Sequence, residues 1–105
     1  AKAKEMALFA DMVGAAEAEA IGLVNKVVPH EQLDAVASEW ARRLASGPTL
    51  ALGLSKKLLD ASWTSTFEQA VEDEARCQHV TYTSADVTEG ITAFLERREP
   101  RFQGR

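Results

Sequence analysis

A chain of 105 residues that is 46% apolar and 27% charged has the make-up of one soluble globular domain, long enough to bury about two-thirds of its unfolded surface. A net charge of −4 with no broad basic face argues against nucleic acid as the main partner, and no run approaches the ~18 apolar residues of a membrane span. The single cysteine, Cys77, has no internal partner, so a reducing, cytoplasmic setting is expected, and no signal or transit peptide is recognisable.

Residues 1–9, rich in alanine, lysine and glutamate, read as helix, with Ala3, Met6, Ala7 and Ala10 at helical spacing. No Ser, Thr, Asp or Asn stands in front to cap them and no initiator Met precedes them. A chain that starts inside a helix explains both features. A turn at 11–14 leads to a short helix over 15–21, which Gly22 is placed to stop in a left-handed conformation. The next run, Gly22-Leu-Val-Asn-Lys-Val-Val-Pro29, holds three valines in eight residues and reads as a short strand over about 23–28. No second convincing strand exists in the sequence, so its ladder partner has to come from outside the chain.

The cleanest helix spans 30–46, with Leu33, Val36, Ala37, Trp40, Ala41 and Leu44 on one face, as a core-facing amphipathic helix requires. Gly47-Pro48 ends it and opens the next, whose Leu50, Ala51, Leu54 and Leu58 form a stripe that Leu52 and Leu59 widen. Lys56 and Lys57 read either as a solvated pair that favours the helix dipole or as an anion contact, the first being the commoner case late in a helix. Thr66-Phe-Glu-Gln69 has capping-box spacing and starts a helix running to about Tyr82. Its Phe67–Val71 stripe continues into Glu74 and Gln78. That pattern fits either a helix surfacing in its second half or a face lining a polar cleft. Cys77 and His79, two apart, point to different sides and make no metal pair.

Ser84 can cap the last helix, whose stripe is Val87, Ile91, Phe94 and Leu95. Gly90 beside them admits the close approach of another backbone. Residues 96–105 carry four arginines against two glutamates, a local +2 that leaves −6 elsewhere. This segment reads either as a solvated tail or as an anion site, since guanidinium pairs well with phosphate. There is no internal repeat, P-loop, dinucleotide fingerprint or zinc spacing.

Two stretches carry a resemblance. Ala18-Glu-Ala-Ile-Gly-Leu-Val-Asn-Lys-Val-Val-Pro29 resembles the segment following the core of the enoyl-CoA hydratase/isomerase (crotonase) family. Residues 84–105 resemble that family's C-terminal signature of a Glu-Gly pair, Ala-Phe, a basic cluster and Pro-x-Phe. Gly47-Pro48 and the helix after it sit between them with the expected spacing. The resemblance implies a mainly α chain: the helical C-terminal region of the crotonase α/β spiral fold, one segment over 1–105 without the preceding spiral core.

It further implies that the two acid–base glutamates and the oxyanion hole lie in the earlier part, so this chain holds no catalytic residue. Coenzyme A enters as the thioester substrate, and no separate cofactor or metal is implied. Arg97 takes the position of a signature lysine that meets the CoA nucleotide phosphate, often across a trimer interface, and Phe94 packs near the same place. Gln78 falls where some members put an aromatic beside the ligand, and Phe9-Ala10 where a Thr-Gly turn is common. The expected function is therefore the C-terminal portion of an enoyl-CoA hydratase or isomerase, inactive alone, in a trimer or dimer of trimers. The competing reading is a non-catalytic helical oligomerisation module of the same ancestry.

Overall fold

The computed structural model covers residues 1–105 and contains six α-helices, one 3-10 turn and no strand. Its contacts group into two compact units, Ala1–Val36 and Ala37–Arg105.

In the first unit, α1 (Lys2–Phe9) begins on Ala1 without a side-chain cap, and α2 (Ala15–Ala20) begins on Gly14. Lys2 Nζ reaches Glu5 at 2.8 Å and Glu17 at 3.4 Å, exposed pairs that contribute little. The turn after α1 puts Ala10 in the left-handed region at φ 55°. A Cβ there costs roughly 1–2 kcal/mol, which is why a glycine suits this turn better. Gly22 ends α2 at φ 74°, as its placement requires.

The strand expected over 23–28 does not form. Leu23 N and Val24 N both donate to Ala18 O, at 2.8 and 3.3 Å, and Val27 N donates to the Glu19 carboxylate at 3.1 Å. Three amides that a ladder would use are thus drawn back onto α2. Valine-rich sequence favours an extended backbone, but a strand needs a paired neighbour. None is available, and the segment settles as bends and irregular chain.

A 3-10 turn (His30–Gln32) leads into α3 (Leu33–Ala45), within which the division between the units falls. In the second unit α4 (Thr49–Ala61) packs against α5 (Phe67–Tyr82), and α5 against α6 (Ala85–Glu96). The capping box at Thr66 is complete. The Thr66 hydroxyl accepts from Gln69 N at 3.3 Å, and Gln69 Oε1 accepts from Thr66 N at 3.0 Å.

The face of α5 turned inward differs from the expected stripe. Ala70, Asp73, Cys77 and Thr81 are half-buried, whereas Phe67 and Val71 are exposed. Small side chains at this spacing let α4 approach closely, and the larger Phe67 and Val71 point away. Glu74 and Gln78 stay exposed at the lip of grooves walled by Ala51, Leu54 and Leu58 of α4. That face is therefore exposed from Phe67 to Gln78 and does not surface only in its second half, while Glu74 and Gln78 do line grooves.

The expected core is hardly closed. Only Ala18, Ala93 and Asp86 are buried, and no large side chain is fully enclosed. Leu33, Trp40 and Leu44 of α3 and Ile91, Phe94 and Leu95 of α6, read as core-facing, all stand exposed. Apolar surface on this scale is characteristic of chains that pack against something else.

Candidate functional site

The functional region is built on α6 and the ten residues that follow its last turn. Ser84 caps the helix by accepting from Val87 N at 3.3 Å. At the other end Arg97 adopts φ 53°, and the reversal is closed by Arg97 N to Phe94 O at 3.2 Å and Arg98 N to Ala93 O at 3.0 Å. This is the left-handed helix stop that glycine usually fills.

The reversal sends the C-terminal segment back along α6, where two carboxylates one turn apart hold it. Glu89 accepts both Nη atoms of Arg98, at 2.7 and 2.9 Å, and also Arg101 N at 2.7 Å. Asp86 accepts Gln103 N at 2.7 Å and Gly104 N at 2.8 Å, while its own amide donates to Arg105 O at 3.2 Å. Asp86 is the single buried charged residue of the chain. Between these anchors the Phe102 ring lies over Gly90. A Cβ at Gly90 would meet the ring at 3.6 Å, an ordinary contact. The close approach expected at Gly90 is thus made by an aromatic ring and not by a backbone. Gly104, at φ 72°, abuts the Thr49 side chain at the start of α4 so closely that a Cβ would collide with its Oγ1. The segment is folded, and the solvated-tail reading does not hold.

Charge is distributed unevenly among the four arginines. Arg98 is consumed internally: besides Glu89 it reaches Glu96 at 2.6 Å, and these carboxylates raise its pKa. Arg105 turns to Gln103 Oε1 at 3.0 and 2.7 Å. The guanidinium groups of Arg97 and Arg101 make no hydrogen bond or ion pair. Phe94, in the last turn of α6, and Arg97, the residue that stops it, both stand exposed. Gln78, placed beside the ligand by resemblance, lines the α4–α5 groove, whose walls include neither Arg97 nor Phe94. His79 is exposed, and no cluster of His, Cys, Asp or Glu is arranged to hold a metal ion.

Hydrogen bonding by Arg98, helped by the Arg101 amide, holds the Glu89 carboxyl at about 2, below its ordinary 4.5. A depressed carboxylate stabilises the fold fully above its unfolded value and loses that contribution as pH falls toward its folded value. The docked segment should therefore be indifferent to pH above about 4.5 and be released progressively between there and about 2. Amide exchange at Arg101 followed across this range is the check: release complete by pH 4.5 would contradict it.

Asp86 and Glu89 were not singled out from the sequence. The available signal was two carboxylates three apart in the first turns of a helix, ahead of an arginine-rich segment long enough to fold back.

A family model described as enoyl-CoA hydratase/isomerase matches residues 1–105. Among curated relatives, the crotonyl-CoA hydratase of Syntrophomonas wolfei is 38% identical over 100 residues, covering 95% of this chain and 38% of that protein. The 1,2-epoxyphenylacetyl-CoA isomerase of Escherichia coli is 36% identical over 105 residues, covering 100% of this chain and 40% of that protein. The solved enoyl-CoA hydratase of Bacillus anthracis superposes with a TM-score of 0.87 at 30% identity, over 99% of this chain and 40% of that one. The chain spans about two-fifths of the length of the curated relatives it matches.

Proposed function

The chain belongs to the enoyl-CoA hydratase/isomerase family, and we propose that it serves as the helical C-terminal region of an acyl-CoA enzyme. In that role it supplies packing surface and part of the CoA site, and no acid–base residue. Two relatives of nearly equal identity carry the names of different reactions, a hydration and an isomerisation, but share a CoA substrate. A segment that both resemble equally well is suited to recognising what their substrates share, which is the CoA moiety.

The observation that carries the reading is Arg97. It is an exposed, unpaired guanidinium held in a left-handed conformation that a non-glycine residue adopts only at a cost. It stands at the C-terminal end of α6, where the helix carbonyls repel an anion. Attraction of a phosphate must then come from the side chain, through the paired N–H donors that guanidinium presents. Phe94, exposed in the last turn of the same helix, offers a ring for the nucleotide to pack on. The carbonyl of the thioester would be polarised, and a proton moved by carboxylates, in the part of the enzyme that precedes this region.

The exposed apolar side chains of α5 and α6 suit burial against that preceding part and against other copies, in a trimer or dimer of trimers. One unpaired cysteine fits a reducing, cytoplasmic compartment. That all these relatives are hydratases or isomerases does not favour the alternative of a stand-alone helical module. The test is direct. The 105-residue chain should convert crotonyl-CoA no faster than buffer in an assay of enoyl-thioester absorbance. Turnover by the pure chain would put acid–base residues inside it and overturn the proposal.

A further inference from the structure

Arg97 and Arg98 are adjacent and chemically identical, yet only one of them is free. What separates them is Glu89. Its carboxylate takes Arg98 in a two-pronged pair and, with the same Oε1, takes the amide of Arg101, so it clips both sides of Pro100. Asp86, one turn earlier, fixes the amides of Gln103 and Gly104. These contacts lie on the inner side of α6, and they leave the left-handed residue at 97 little freedom. The residue before it ends the helix, and the residue after it is bonded through its amide to Ala93 and through its side chain to Glu89.

We propose that Asp86 and Glu89 are positioning residues for Arg97: by holding 98–104 against α6 they fix the turn from which the Arg97 guanidinium meets the nucleotide phosphate of CoA. The inference rests on the reading of Arg97 as a CoA contact. Its physical basis is ordering entropy. A guanidinium on a frayed helix end must be immobilised when phosphate binds, and one whose backbone is already fixed loses less freedom. The clip also removes the adjacent Arg98 as a competitor at this turn.

The experiment compares Glu89→Gln, which keeps the shape and removes the charge, with Arg98→Lys, which keeps the charge and removes the two-pronged pair. Both are made in the whole protein, alone and together with Arg97→Ala. Dissociation constants are measured for a CoA ester and for the matching pantetheine thioester, which lacks the nucleotide. Each clip variant should weaken the CoA ester about 3- to 10-fold, within the range of couplings between residues in contact, and leave pantetheine binding and kcat unchanged. In the Arg97→Ala background the same substitutions should add nothing, because no guanidinium remains to be positioned. Equal losses in both backgrounds, or equal losses for both substrates, would make Glu89 a plain stability residue and overturn the proposal. A gain in affinity on freeing Arg98 would overturn it as well. If Arg97→Ala weakens CoA-ester binding but neither clip variant does, the positioning role alone fails. If Arg97→Ala changes nothing, the CoA-contact reading falls and this inference with it. Should Glu89→Gln not fold, Arg98→Lys carries the same comparison.

Discussion

In the whole protein, Arg97→Ala should raise the dissociation constant of a CoA ester roughly 5- to 150-fold while kcat stays nearly constant. The magnitude follows from a partly exposed contact between a guanidinium and a phosphate, worth about 1–3 kcal/mol as other charge-assisted hydrogen bonds are. The division between constants follows from distance along the substrate. The nucleotide phosphate is remote from the thioester, so its contact stabilises ground state and transition state alike and appears in KM. A minor loss of kcat is compatible, since remote binding energy can be used to orient the reacting end. Arg98→Ala is the instructive comparison: that side chain already has its carboxylates, so its loss should cost no more than the roughly 3- to 10-fold expected for undoing the clip. An equal drop in affinity for the pantetheine thioester would show Arg97 to be structural and sink the assignment.

The second large effect is on the fold. Asp86→Ala should destabilise the docked C-terminal segment by about 2–4 kcal/mol, because two hydrogen bonds to a buried carboxylate are lost together. Asparagine should not rescue it. One oxygen can still accept from Gln103 or Gly104, but the other amide would then face an NH2 donor. The readout is tryptic cleavage after Arg101, whose rate tracks the open population when reclosing is fast. A loss of this size multiplies that population roughly 30- to 900-fold. Cleavage of Asp86→Ala at the rate of the unsubstituted protein would show that the carboxylate does not hold the segment.

Features set by neighbours within a few residues were legible in the sequence. The Thr66–Gln69 capping box, the Ser84 cap and the left-handed Gly22 all occur where expected, because each needs only a local hydrogen bond or a missing Cβ. Features set across the fold were not. Phe67 and Val71 look like a buried stripe until the small residues Ala70, Cys77 and Thr81 prove to be the side that admits α4. Valines at 24, 27 and 28 favour an extended backbone, yet a strand is a property of two segments and the chain contains one, so the run forms bends and irregular chain. The apolar stripes of α3 and α6 lie on their helices, but spacing shows only which residues share a face and not whether that face is covered, and here both stand largely exposed. At the candidate site, Arg97 and Phe94 were chosen by resemblance. Spacing alone could not rank four arginines. Glu89 occupies Arg98 and Arg105 turns to Gln103, but Arg101 is as open as Arg97, so resemblance alone selects Arg97.

The contact of Gly104 with Thr49 has a temporal side. It joins the beginning of α4 to a residue far along the chain, and Glu89 and Asp86 likewise reach forward to Arg101 and Gln103. The helices need only bonds between residues four apart, whereas these ties must first close long loops, which costs entropy before any contact rewards it. The turn that presents Arg97 therefore acquires its final shape after the helix it ends.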